Sequence, residues 1–160
     1  MAAERNYCEK VQPTESAYAD EAAARWPEQY AQSQARYGSL SQVERDRIAA
    51  LGEAVNQKLA ELLRAGEPAE SALVQAEIAK HFDWVCAFWT PNLESYRGLL
   101  EMYVADQRFA DFYERYQIGL AEFICDAGLV WVGPVWVGAS SPNVNRDASA
   151  LCQRPGNRAE

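Results

Sequence analysis

The sequence predicts an all-α fold, and two features of its pattern support this. Along residues 40–128 apolar residues recur at steps of three and four, the spacing of one face of a helix. The segments between these runs carry the caps and breakers that begin and end helices. With 160 residues, of which 49% are apolar and 24% charged, the chain has the size and composition of one folded domain.

The composition of residues 1–39 predicts a weakly apolar helical segment. The segment is rich in Ala, Glu, Gln and Arg, and few of its residues are large and apolar. Pro27 should divide it into two helices, because proline breaks a helix interior. Such a sparse pattern holds a helix only against a packing partner, so we expect this segment to be the least stable part of the chain.

The region from residue 40 to 128 predicts five helices. The first begins at Ser41, which forms a capping box with Glu44, and ends at Gly66. The second covers about residues 71–89 and ends before a proline, since the residue before proline avoids helical geometry.

The remaining core helices are shorter. One begins at Leu93 and ends near Asp106, and the Asp106 side chain is suited to cap the helix that follows. The last covers residues 119–127, with Gly128 as its terminator.

The region from residue 129 to 160 differs in kind from the helices before it. It begins with a Val-Trp-Val-Gly repeat around Gly-Pro, which predicts a non-helical segment from Leu129 onward. This apolar stretch could form a hairpin, lie in a groove of the helical body, or remain an aggregation-prone strand. From Ser140 we expect an irregular, disordered tail.

Charge and composition exclude several partners. A formal net charge of −8 argues against nucleic acid as a partner, and no apolar run is long enough to span a membrane. Without a signal peptide the protein is expected to be cytoplasmic. The four cysteines form no C-x-x-C pair, so we expect free thiols and no metal site.

Enzyme motifs are absent from the sequence. Phosphate-binding loops, zinc-hydrolase motifs and serine elbows do not occur. Glu77 and His81, one helical turn apart, are the one candidate acid/base pair, and such pairs usually serve as simple helix contacts. We therefore predict a protein that is not an enzyme and needs no cofactor.

Aromatic residues are unusually dense between residues 82 and 123. Many of them should form the core, yet there are more than one small core needs. A surplus of Trp and Tyr is typical of a cleft for a large, mostly apolar ligand. The same groove could instead take a partner helix or close a homodimer, so a protein-interaction module is the alternative.

The string Glu-Met-Tyr-Val-Ala-Asp-Gln-Arg-Phe at residues 101–109 resembles the TipAS antibiotic-recognition domain of MerR-type regulators. The resemblance extends upstream through His-Phe-Asp-Trp at residues 81–84 and downstream through residues 119–123. It covers about residues 15–127. It implies a globin-like helical fold without haem that binds bulky hydrophobic antibiotics such as thiopeptides, with an N-terminal segment that becomes ordered when the ligand binds.

The resemblance also sets the expected site and its chemistry. At the position of the family's ligand-capturing cysteine this chain has Gly98, which implies non-covalent binding. A DNA-reading domain ahead of Met1 is not expected, so the chain should sequester drug as a stand-alone form. The residues expected to contact the ligand, including two that close over it and a histidine at the cleft edge, are Trp26, Tyr30, His81, Trp84, Trp89, Tyr96, Tyr103, Phe109 and Tyr113.

Overall fold

The computed structural model describes residues 12–133, with side chains from residue 19 onward. Helices account for most of this range and no strand occurs within it, which confirms the all-α prediction. The helices in chain order are α1 (Gln12–Arg25), α2 (Pro27–Gly38), α3 (Gln42–Arg64), α4 (Ala72–Cys86), α5 (Leu93–Ala105), α6 (Gln107–Glu114) and α7 (Leu120–Val132).

The helices α1 and α2 form a pair that lies on the rest of the molecule, and we call this pair the lid. Trp26 separates them with a non-helical backbone (φ −136°, ψ 63°), and Pro27 is the first residue of α2. This confirms the predicted break at Pro27. None of the described side chains of α1 or α2 is buried, so the lid packs far more loosely than the helices beneath it.

The caps of the core helices agree with the sequence. The Ser41 side chain accepts a hydrogen bond from the Glu44 amide, and the Glu44 carboxylate accepts one from the Ser41 amide, so the capping box is formed. Beyond α3, Gly66 adopts φ 76°, a conformation that glycine reaches without strain. Asp106 caps α6 by accepting from the Arg108 amide at 3.0 Å.

The core lies between α3, α4, α5 and α7. Leu59, Ile78, Leu100 and Ile124, one from each of these helices, have no exposed surface. The helix α7 packs against both α4 and α5, while α3 packs against α4. This four-helix arrangement supports the inner wall of the cleft described below.

The prediction for the end of α7 is wrong. The helix does not stop at Gly128 but continues to Val132, so the chain is still helical at Leu129. Gly128 faces α5, and a Cβ placed there would lie 2.8 Å from Leu100 Cδ2 and closer still to Cδ1. The glycine therefore allows two helices to approach, and Gly133 (φ 77°) follows the true helix end.

The prediction for the C-terminal region is tested only at its start. The first tryptophan of the repeat, Trp131, lies on α7 and packs on Phe82 with a ring-centre distance of 4.9 Å. The second half of the repeat and the predicted tail from Ser140 lie outside the described residues.

Two described cysteines differ in state. Cys125 is a free, buried thiol, whereas Cys86 is disulfide-bonded, so the prediction of free thiols is wrong at Cys86. The other two cysteines lie outside the described residues. None of the helices between residues 12 and 133 combines the length and apolar character required to cross a bilayer.

Candidate ligand-binding cleft

Three cavities lie side by side along the molecule. The central cavity, about 580 Å³, and the lid cavity, about 390 Å³, both contact the lid and share walls that include Trp26 and Trp89. The α3 cavity, about 790 Å³, shares Trp84, Phe88 and Phe112 with the central cavity. The three therefore form one extended cleft with aromatic partitions.

The central cavity is lined mainly by aromatic side chains of α4 and the segment after it, of α5 and of α6. The segment at the end of α4 contributes Trp89, and α5 contributes Met102 and Tyr103. The short helix α6 adds Phe109 and Tyr113. Its walls are mostly apolar, which suits a ligand with a large hydrophobic surface.

The lid cavity lies between α2 and α5. Trp26 and Tyr30 line it from the lid side, and Gly98 lines it from α5. A Cβ added at Gly98 would meet no atom within 4 Å, so the wall has open space there.

A buried network of polar rings lies behind the central cavity. His81 Nδ1 hydrogen-bonds the Tyr96 hydroxyl at 2.8 Å, and His81 Nε2 lies 3.5 Å from the Tyr103 hydroxyl. Burial lowers the pKa of His81 to about 4 and raises the pKa of Tyr103 to about 12. Burial also raises the pKa of Tyr96 and Tyr113 well above the ordinary value, so the network is uncharged at neutral pH.

Two arginines fasten the lid to the body. Arg36 of α2 donates to the Cys86 carbonyl oxygen at 2.7 Å and to Thr90 Oγ1 at 2.9 Å. Arg108 of α6 pairs with Glu21 of α1 at 3.0 Å.

The Arg108 guanidinium also pairs with the neighbouring Asp106 at 2.6 Å. These hydrogen bonds lower the pKa of Asp106 to about 2 and lower the pKa of Glu21 below its ordinary value. Both carboxylates are therefore charged at neutral pH, and the α1 contact is an ion pair.

The structure brings most of the predicted site residues to the cleft. Seven of them line the central or the lid cavity: Trp26, Tyr30, Trp84, Trp89, Tyr103, Phe109 and Tyr113. The other two, Tyr96 and His81, line none of the three cavities. They lie in the core with 0% and 1% exposure, so their predicted place at the cleft wall is wrong.

Several lining residues were missed. Phe88, Phe112 and Met102 line the central cavity, and a whole face of α3 around Gly52 lines the α3 cavity. A glycine inside an otherwise strong helix is the one sequence signal for that face, since it often marks close packing.

The candidate acid/base pair is not assembled. Glu77 pairs with Lys80 at 2.6 Å, whereas His81 contacts the buried tyrosines. Among residues 12–133 no group of three His, Cys, Asp or Glu side chains is placed to hold a metal ion.

Residues 18–131 match the family model of the TipAS antibiotic-recognition domain. The chain belongs to the TipAS family. This confirms the resemblance first noted at residues 101–109. A solved structure from Streptomyces lividans, TipAS in complex with nosiheptide, matches 73% of this chain and 84% of its own, with 28% identity and a TM-score of 0.67. The fold is thus the globin-like helical fold of TipAS.

Curated relatives of this TipAS-family chain are transcriptional regulators. It is 34% identical over 76 residues to the regulator SkgA of Caulobacter vibrioides, covering 46% of this chain and 30% of SkgA. It is 26% identical over 123 residues to the transcriptional activator mta of Bacillus subtilis, covering 76% of this chain and 47% of mta. The chain therefore spans less than half the length of these relatives.

Proposed function

We propose that this chain binds bulky hydrophobic antibiotics, such as thiopeptides, in the cleft under the lid and sequesters them. The observation that carries the proposal is the continuous aromatic cleft between the lid and the body, in a chain similar to the TipAS structure that holds nosiheptide. In this proposal the protein lowers the free drug concentration by mass action, without a reaction.

Aromatic burial would supply most of the binding free energy. Trp89, Phe109 and Tyr113 present rings to the central cavity, and Trp26 and Tyr30 line the adjoining lid cavity from the lid side. A fully buried large side chain contributes about 1.5–3 kcal/mol, so these five rings together would contribute about 8–15 kcal/mol before the entropic cost of association is subtracted.

Binding is proposed to be reversible. Gly98 stands where the family's capturing cysteine is expected from the resemblance, and it lines the lid cavity. Burial raises the pKa of the Cys125 thiol, which makes that thiol a poor nucleophile, and Cys86 is disulfide-bonded. The described thiols thus offer no ready route to an adduct.

The lid is proposed to become firmly ordered only when ligand binds. Its described side chains are not buried, and its contacts with the body are few: the Arg36 hydrogen bonds, the Arg108–Glu21 pair, and the Tyr37 ring, which stacks on Phe88 and lies under Arg45. A ligand in the lid cavity would give Trp26 and Tyr30 the packing surface that they lack, at the cost of ordering the segment.

Titration with nosiheptide, followed by intrinsic tryptophan fluorescence, tests the proposal. We expect saturable binding at micromolar or lower concentration, an unchanged ligand mass after incubation, and no protein adduct by intact-mass analysis. Phe109→Ala should weaken binding at least tenfold, whereas Leu73→Ala, which alters a side chain 60% exposed and outside the cleft, should not.

Other outcomes of this experiment would contradict the proposal. If no member of a panel of thiopeptides binds and the protein sediments as a dimer, the cleft serves protein association instead. A chemically altered antibiotic would show that the protein is an enzyme.

A further inference from the structure

We propose that the α3 cavity is a second compartment for the same ligand, and that it receives a hydrogen-bond-accepting end of that ligand, a carbonyl or carboxylate. The donors are the Trp84 indole and the Arg45 guanidinium. This inference rests on the proposed function and deepens it, because it specifies an elongated ligand with an apolar body and an acceptor-bearing end.

Two buried donor atoms carry the inference. Trp84 Nε1 and Arg45 Nε are both shielded from solvent, and neither has a hydrogen-bond acceptor in the described part of the chain. A buried donor without an acceptor is costly, so such groups are rare and call for an explanation. Both residues line the α3 cavity, so an acceptor placed in that cavity would lie beside the wall that carries both donors.

The position of Trp84 depends on Gly52. A Cβ at Gly52 would lie 2.7 Å from Trp84 Nε1 and 2.9 Å from Cε2, so only glycine admits the indole edge at this point. The N–H edge is thereby turned toward α3, away from the central cavity. Trp84 as a whole is only half-buried, and its ring lines both the α3 cavity and the central cavity.

The other polar groups of this cavity favour an acceptor as the guest. The Arg45 guanidinium lies over the Tyr37 ring at 4.9 Å, which holds it at the cavity wall. Arg115 adds a second positive charge at the same wall. The carboxylate of the cavity, Glu53, already accepts a hydrogen bond from the Tyr116 hydroxyl at 2.5 Å.

Continuity with the central cavity points to one ligand for both compartments. Trp84, Phe88 and Phe112 form the wall between them, and the Trp84 and Phe88 rings lie edge to face at 5.1 Å. The central cavity is apolar, whereas the α3 cavity carries donors and positive charge. A molecule that is too long for the central cavity would place its apolar body among the rings of that cavity and its polar end beside Trp84 in the α3 cavity.

The test compares two ligands on matched variants. The ligands are a thiopeptide with a carbonyl-rich tail and the same macrocycle with the tail removed, and dissociation constants are measured by calorimetry. The variants are Trp84→Phe, which removes the indole donor but keeps a ring, and Arg45→Met, which removes the guanidinium but keeps the length. Trp131→Phe, an indole outside the three cavities, is the control.

We expect Arg45→Met to weaken the tailed ligand about tenfold and to leave the tail-less macrocycle within twofold, because Arg45 lines only the α3 cavity. Trp84→Phe alters a ring that also lines the central cavity, so it should weaken the tailed ligand about tenfold more than the tail-less macrocycle. The control should change neither. Equal weakening of both ligands, or no weakening of either, would overturn the inference while the proposed function stands. If the unsubstituted protein binds neither ligand, both the proposed function and the inference fall. Thermal melting shows whether each variant is folded. If Trp84→Phe is unfolded, the comparison of the two ligands is made on Arg45→Met.

Discussion

Substitution of Gly128 by alanine should destabilise the protein, although alanine is the better helix former. A methyl group at this position would lie 2.8 Å from Leu100 Cδ2 and would overlap Cδ1. Overpacking of this kind costs about 1–3 kcal/mol, and the severe overlap places the cost near the upper end. The gain in helix propensity is about 1 kcal/mol, so the free energy of unfolding should fall by about 2 kcal/mol.

Gly98→Ala provides the matched control for Gly128→Ala. Gly98 also lies within a helix, α5, but a Cβ there would meet nothing within 4 Å. Its replacement should therefore stabilise the protein by about 0.5–1 kcal/mol. Urea unfolding followed by circular dichroism measures both variants, and the two should differ by about 3 kcal/mol.

A double-mutant cycle tests the cause of the Gly128→Ala effect. Leu100→Val shortens the side chain that the new methyl group would strike, so Gly128→Ala should cost much less in that background than alone. If Gly128→Ala instead stabilises the protein as much as Gly98→Ala does, the close approach of α5 and α7 through Gly128 is refuted.

Three further predictions concern the lid, the core histidine and a helix cap. Arg36→Ala removes the bond to the Cys86 carbonyl and should lower hydrogen-exchange protection in α2, whereas Arg64→Ala, whose bond stays within α3, should not. The single histidine should titrate by NMR with a pKa of about 4. Because the unfolded chain binds this proton near pH 6.5 and the folded chain only near pH 4, stability should fall by about 3 kcal/mol as the pH drops through that window, and His81→Gln should lessen the fall. A measured pKa near 6.5 would contradict the burial of the His81 ring. Ser41→Ala should cost about 1 kcal/mol in urea unfolding and Ser41→Gly only a few tenths, and equal costs would exclude the cap as the cause.

The helix starts were predictable because their determinants are local. The capping box of Ser41 and Glu44 and the break at Pro27 depend on residues a few positions apart. The end of α7 was not predictable, because Gly128 has two possible roles in a sequence. It acts as a packing residue here, and that role depends on Leu100 of another helix.

The lining of the cleft was predictable in part. Tyr96 and Tyr103 lie seven residues apart on one face of α5, yet the first is deep in the core and the second reaches the central cavity. Helical spacing shows on which face of a helix a residue lies, but it does not show how deeply that residue is buried. The contribution of α3 around Gly52 was missed because its small and polar residues resemble an ordinary solvent-facing surface.

The hydrogen bond from Arg36 to the Cys86 carbonyl has a consequence for how the lining of the cleft can change. Its acceptor is a main-chain atom, so this bond, unlike the bond from Arg36 to the Thr90 hydroxyl, does not depend on the side chains at the end of α4. Mutations that reshape the end of α4, where Trp89 and its neighbours line the cleft, can therefore accumulate without removing this acceptor. The lining of the cleft and this anchor of α2 are in this way encoded separately, and the first can diverge while the second is kept.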